Sequence, residues 1–250
     1  MSRVVGVIPA RLGATRFPGK PLALIQGLEM IRWVIRGAKA SKLLSEVLVA
    51  TDDEKIGQAA QKENVRFVMT DSRLPSGTDR IYAATKNENW DYVINIQGDE
   101  PLMQGSLIDS LIAPLLADKS LEMSTLSGPL PIEDVNNLNS VKVLMNLKSD
   151  AIYFSRFPIP FSRVAAEESS LEHLKQTVGK HIGMYGYRSD FLKLFCGTQP
   201  SRLEKLESLE QLRALELGAR IRVVTTNEVS VGVDVPEDIS RVEKILAEKL

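Results

Sequence analysis

Short apolar runs alternate with helix-period stretches through the first half of this 250-residue chain, and few folds accept that order. Residues 4–8, 46–50, 66–69 and 92–96 read as strands, and the first is apolar on both faces as buried parallel strands are. Between them, 30–40 reads as a helix, with Ile31, Val34, Ile35 and Ala38 at helical spacing. Helices are also expected over 53–64, opened by Thr51-Asp52, over 78–86, and over 107–116. Strand–helix alternation of this kind specifies an α/β fold, a mostly parallel sheet with helices on both faces.

The second half changes character. Residues 123–127, 141–147 and 151–155 read as strands with no long helix between them, which makes them antiparallel. Pro158 and Pro160 interrupt, and 161–177 reads as a polar loop whose Glu167, Glu168 and Glu172 form a solvated face. A strand over 182–187, a helix over 203–217 ended by Gly218, a strand over 220–225 and a last helix from Pro236 complete the pattern. The expectation is one domain over 1–250, with 123–200 as an antiparallel elaboration.

Composition excludes several classes. A net charge of −1 provides no global basic field for nucleic acid. The single cysteine, Cys196, permits no internal disulfide and suits a reducing compartment. No apolar run has membrane-spanning length, and Arg11 ends the first one too early for a signal peptide, so a cytoplasmic protein without a membrane partner is expected.

Four stretches carry chemistry. The first strand empties at Pro9 into Ala10-Arg11-Leu12-Gly13-Ala14-Thr15-Arg16-Phe17-Pro18-Gly19-Lys20, a loop with three cations, two glycines and no acid. Arginines can bond phosphate oxygens bidentately, and ligands of open α/β sheets lie beyond the carboxyl ends of strands. A solvated surface loop is the competing reading. The stretch is not a P-loop, because Gly13 and Gly19 enclose five residues and Pro21 follows Lys20 in place of a hydroxyl. Two acidic strand ends come next, Gln97-Gly98-Asp99-Glu100-Pro101 and Gly232-Val233-Asp234-Val235-Pro236. Mg²⁺ takes one or two carboxylates together with phosphate oxygens and water, so Asp99 and Asp234 are candidate metal ligands. Asp234 is equally placed to cap the last helix. Lastly, Ser76-Gly77-Thr78-Asp79-Arg80 opens a helix and offers either an anion site or a simple cap. His181, a lone histidine at a strand start, reads as a packed or surface residue more readily than as a catalyst.

Taken together these motifs resemble the 3-deoxy-manno-octulosonate (KDO) cytidylyltransferases, along the whole chain. The resemblance rests on Ile8 to Leu22, Ser76 to Arg80, Gln97 to Pro101, Tyr153-Phe154-Ser155-Arg156, and His181 to Arg188. It rests further on Leu203-Glu204, Leu209 to Arg213, and Gly232-Val233-Asp234 with Pro236-Glu237-Asp238. It implies a Rossmann-like nucleotidyltransferase sheet, Mg²⁺ as cofactor, CTP and KDO as substrates, and a homodimer with its contact in 123–200. The reaction implied is transfer of CMP to KDO with release of pyrophosphate, an activation step for the inner core of lipopolysaccharide. By the same resemblance Lys20, Arg11, Asp99 and Asp234 are catalytic, and Ala10, Arg11, Arg16, Lys20, Ser76, Gly77, Arg80 and Gln97 bind the nucleotide. Arg80 is expected at the cytosine edge. Gln97, Arg156, His181, Tyr185, Glu210 and Gln211 surround the sugar, with Arg156 on its carboxylate. Phe17 stands where many members carry Leu and Arg202 where some carry Pro, and Arg202 leaves open whether KDO or its 8-amino analogue is the sugar; a sialic acid enzyme is a rival that His181–Arg188 and Leu209–Arg213 argue against. A nucleotide-binding regulator without catalysis is the remaining alternative, disfavoured by two intact metal carboxylates.

Overall fold

Strand β1 (Val4–Ala10) is apolar along its length, and in the computed structural model Val4, Val5, Val7 and Ile8 are all buried. The structure describes residues 2–13, 17–161, 163, 177–228 and 231–248. The chain divides into two compact units, one built from Met1–Ala113 with Val229–Leu250 and one from Pro114–Glu228.

In the first unit β1 lies between β4 (Glu46–Thr51) and β6 (Tyr92–Asn95), both parallel to it, and β5 (Arg66–Met69) adds in parallel outside β4. The alternating pattern thus produces the parallel sheet expected of it. Helices α1 (Met30–Lys39), α2 (Glu54–Lys62) and α3 (Gly77–Thr85) fall within two residues of the expected boundaries. Helix α2 is capped by Asp53, which accepts the Lys55 N–H at 2.8 Å. A two-residue pair, β2 (Leu24–Ile25) with β3 (Leu28–Glu29), precedes α1; strands this short have no period to read. The returning segment joins the first unit through Val231, Val233 and Val242, which pack with Ile25 and Met30.

Helix α4 (Gly105–Ala117) carries the chain into the second unit. Its strands run in the order β11 (Ile221–Thr225), β7 (Met123–Gly128), β10 (Val178–Arg188), β8 (Lys142–Met145), β9 (Ala151–Ser155). All neighbours are antiparallel except β11 with β7, so the second half does depart from parallel pairing as expected.

Three expectations need correction. The 203–217 helix is two helices, α6 (Arg202–Glu207) and α7 (Gln211–Glu216), preceded by α5 (Ser189–Gly197). The break lies at Ser208, whose φ of 54° and ψ of 48° are left-handed and stop the first of the two. The last helix, α8 (Asp238–Glu248), starts two residues after Pro236. The turn before it is held by the Asp238 carboxylate, which accepts the N–H groups of Asp234 and Val235 at 2.8 and 3.0 Å. Asp238, not Asp234, therefore does the capping. Those two N–H groups also hold the Asp238 carboxyl below the usual carboxylate range. Among the described residues no helix is long and apolar enough to cross a membrane. Glu167, Glu168 and Glu172 lie outside the described residues.

Candidate active site

The end of β1 delivers Pro9, Ala10 and Arg11 to a cleft of about 280 Å³ in the first unit, also lined by Phe17, Lys20, Gln97, Gly98, Asp99 and Asp234. The basic loop is fastened at both ends. The Leu12 N–H donates to Asp52 Oδ1 at 3.3 Å, and the Gly19 N–H closes back onto the Leu12 carbonyl at 3.0 Å. Gly19 has φ 73°, a left-handed turn that glycine adopts without strain, and it delivers Lys20 into the cleft. Arg11 is exposed. Arg16 lies outside the described residues.

The strand end after β6 approaches the same point. A Cβ on Gly98 would meet the Pro9 carbonyl oxygen at 2.7 Å, so only glycine lets these two segments come together. The Val233 N–H then bonds the Asp99 carbonyl at 2.9 Å, which brings the two acidic motifs side by side. Lys20 Nζ donates to Asp99 Oδ2 at 2.7 Å and to the Val233 carbonyl at 2.9 Å, and stands 4.0 Å from Asp234 Oδ1. Two carboxylates separated by 135 positions in sequence thus face one cation. This donor set fits Mg²⁺, which needs few protein carboxylates when phosphate oxygens supply the rest. Among the described residues no group of three or more His, Cys, Asp or Glu side chains could hold a metal unaided.

The Ser76–Arg80 segment is more constrained than its sequence suggests. Ser76 caps α3, accepting the Asp79 N–H at 3.1 Å and donating to Asp79 Oδ2 at 2.8 Å. A Cβ on Gly77 would touch Pro9 Cγ at 3.5 Å, so the start of α3 borders the end of β1. Arg80 is buried, 3 % exposed, donating to Thr70 Oγ1 at 2.6 Å and to Asp52 Oδ2 at 3.1 Å. Its guanidinium is committed to bracing Asp52, which in turn holds the mouth of the basic loop. Sequence reasoning gave Asp52 only a share in a helix cap. The signal was available: it is an acid just past a buried strand, as Asp99 is.

The remaining candidates, apart from Gln97, belong to the second unit. Strand β10 pairs Ile182 with Leu126 but Tyr185 with Thr125, a bulge that interrupts the ladder. Thr125 occupies the gap; its Oγ1 donates to the Met184 carbonyl at 2.8 Å and lies 3.0 Å from His181 Nε2. The His181 ring meets Phe154 edge-on at 4.9 Å and Tyr185 at 5.5 Å. Burial pushes the imidazole pKa down to about 3, so His181 is neutral at physiological pH. Burial, with the nearby Glu210 charge, raises the Tyr185 hydroxyl well above the tyrosine range. Gln211 is 2 % exposed, and its Nε2 has no hydrogen-bond partner among the described residues. Arg156 is braced, its Nε donating to the Glu207 carbonyl at 2.7 Å and its Nη1 to the Leu138 carbonyl at 3.2 Å. Glu207, which sequence reasoning passed over, also accepts the Ser155 hydroxyl at 2.7 Å and the Arg156 N–H at 2.9 Å.

A model of the family described as "Cytidylyltransferase" matches residues 5–221. The chain belongs to the cytidylyltransferase family. This cytidylyltransferase is 54% identical over 246 residues to the 3-deoxy-manno-octulosonate cytidylyltransferase of Bdellovibrio bacteriovorus, covering 98% of each chain. It is 42% identical over 249 residues to the enzyme of that name from Geobacter metallireducens, again covering 98% of each. Among solved structures it is similar to CMP:2-keto-3-deoxy-manno-octonic acid synthetase complexed with CTP, with a TM-score of 0.92, 37% identity and full coverage of both chains. A cytidylyltransferase from Leptospira borgpetersenii shares the fold at a TM-score of 0.68 and 16% identity, over 100% of this chain and 89% of the other.

Proposed function

We propose that this cytidylyltransferase transfers CMP from CTP to KDO, giving CMP-KDO and pyrophosphate and so activating the sugar for lipopolysaccharide inner-core synthesis. The observation that carries the reading is the convergence of Lys20, Asp99 and Asp234 on one point at the strand ends. The full-length similarity to relatives named for KDO supplies the sugar.

The anomeric hydroxyl of KDO attacks the α-phosphorus of CTP. A new P–O bond forms, the bond to the β-phosphate oxygen breaks, and pyrophosphate leaves with that electron pair while the hydroxyl proton passes to solvent. Such a transfer needs positioning and charge neutralisation more than covalent chemistry. Lys20 and Arg11, with Arg16, hold the triphosphate and neutralise the departing pyrophosphate. Asp99 and Asp234 are the residues that would hold Mg²⁺, which when bound would withdraw charge from the α-phosphate and lower the pKa of the attacking hydroxyl. Ala10, Ser76, Gly77 and Gln97 border the nucleotide, and Arg80 acts on it through Asp52 and the loop mouth. In the second unit the neutral His181, Tyr185, Glu210, Gln211 and Arg156 receive the sugar acid. For Arg156 to take its carboxylate, the guanidinium must exchange a backbone carbonyl for the substrate. The active species is a cytoplasmic homodimer with its contact in 123–200.

Pyrophosphate release from CTP, KDO and Mg²⁺ is the direct test. Faster release with the 8-amino analogue would reassign the sugar, and release only with sialic acid would reassign the subfamily. No release with any of the three would overturn the reading. Light scattering at micromolar concentration tests the dimer.

A further inference from the structure

Lys20 is half-buried, with 16% of its side chain exposed, and its ammonium lies against Asp99 Oδ2 at 2.7 Å and the Val233 carbonyl at 2.9 Å, with Asp234 Oδ1 at 4.0 Å. Those oxygens are the protein's own offering to a divalent ion. An ammonium so placed satisfies the same charge a metal would satisfy, and two cations cannot share the position. The two carboxylates have no third acidic or imidazole ligand beside them among the described residues. A divalent ion arriving alone must therefore displace Lys20 and gains only two carboxylates by doing so.

We propose that Lys20 is a placeholder cation that makes metal entry conditional on the triphosphate. The inference rests on the reading that Asp99 and Asp234 hold the metal. A triphosphate entering the cleft offers Lys20 a stronger anionic partner than one carboxylate. Drawing the ammonium off Asp99 frees both carboxylates as the phosphate oxygens bring further ligands for the ion. Lys20 thus has two partners in sequence, carboxylates first and phosphates second. By linkage the coupling is reciprocal, so metal at the carboxylates also favours the Lys20–phosphate contact. The enzyme without a triphosphate is thereby kept from holding a divalent ion at its reactive centre.

The experiment measures Mn²⁺ binding to the full-length chain without nucleotide, by electron paramagnetic resonance of free Mn²⁺ and by calorimetry. The variants are Lys20→Met, Lys20→Gln, Asp99→Asn and Lys20→Met with Asp99→Asn, each checked for fold by circular dichroism. Lys20→Gln keeps a donor toward the Val233 carbonyl while removing the charge. The expected result is Mn²⁺ affinity about tenfold higher in both Lys20 variants, since a unit charge at contact distance is removed. The gain should vanish when Asp99→Asn is added. Lys20 variants that bind Mn²⁺ no more tightly than the native chain, while Asp99→Asn still weakens binding, would overturn the placeholder and leave the metal reading standing. Asp99→Asn without effect in any background would remove the metal reading and the placeholder with it.

Discussion

Apart from the buried Arg80–Asp52 pair of the first unit, the two units meet their polar obligations in opposite ways. In the first, the chemistry sits at strand ends and in a basic loop, where a lysine and two carboxylates face a cleft and Arg11 and Asp234 are exposed. In the second, polar side chains are withdrawn: His181 is neutral, Gln211 is buried, and Arg213 and Glu204 form an enclosed pair with two bonds of 2.8 Å. Exposed charge remains free to exchange partners as substrates come and go. Enclosed charge has already chosen, and its partners are part of the fold. Substitutions at the cleft of the first unit should therefore cost turnover, and those in the enclosed Arg213–Glu204 pair of the second should cost stability.

Glu204→Ala is the strongest challenge to that contrast. It leaves Arg213 buried against Phe195 without its carboxylate, and should lower unfolding free energy by about 3–5 kcal/mol. Urea denaturation measures it, and a loss below about 1 kcal/mol would place this pair with surface ion pairs instead. Asp99→Asn should show the reverse pattern, a fall in pyrophosphate release of about 100- to 1000-fold with little shift in the urea midpoint. Full turnover in that variant would end the metal assignment. Gly98→Ala should blur the contrast. Its Cβ would meet the Pro9 carbonyl at 2.7 Å, so it should cost about 1–3 kcal/mol and also weaken CTP binding, readable by calorimetry. The last effect is one of pH. His181 resists protonation until about pH 3 when folded but titrates near 6.5 when unfolded. The unfolded chain therefore binds the extra proton between those values, and stability contributed above pH 6.5 is lost as pH falls toward 3. His181→Asn should flatten the urea midpoint between pH 7 and pH 5; an unchanged slope would mean the ring is solvated.

The contrast also explains what could be read in advance. The parallel sheet was legible because apolar runs and helical periods are properties of neighbouring residues. Asp99 and Asp234 stood out because an acid just past a buried strand is a local anomaly. The splitting of 203–217 was hidden, since Ser208 interrupts no hydrophobic period and its left-handed turn leaves no mark in the spacing. The commitments of Arg80 and Arg156 were hidden for another reason. Residue type announces a guanidinium, but its partners are Thr70, Asp52 and backbone carbonyls near 138 and 207, which only folding assembles. The bulge at 182–185 likewise depends on register with β7, and Gly183 was its one local hint.

The hydrogen bond from Val233 to Asp99 joins segments made far apart in time on the ribosome. Synthesis proceeds at roughly 5–20 residues per second, so Asp99 emerges several seconds before its neighbour Asp234. A nascent chain holding the parallel strands and the basic loop still lacks the second carboxylate until the segment returning from the second unit has been made. If both carboxylates serve the reaction as proposed, competence for CMP transfer is gained only after the residues of the second unit have been made.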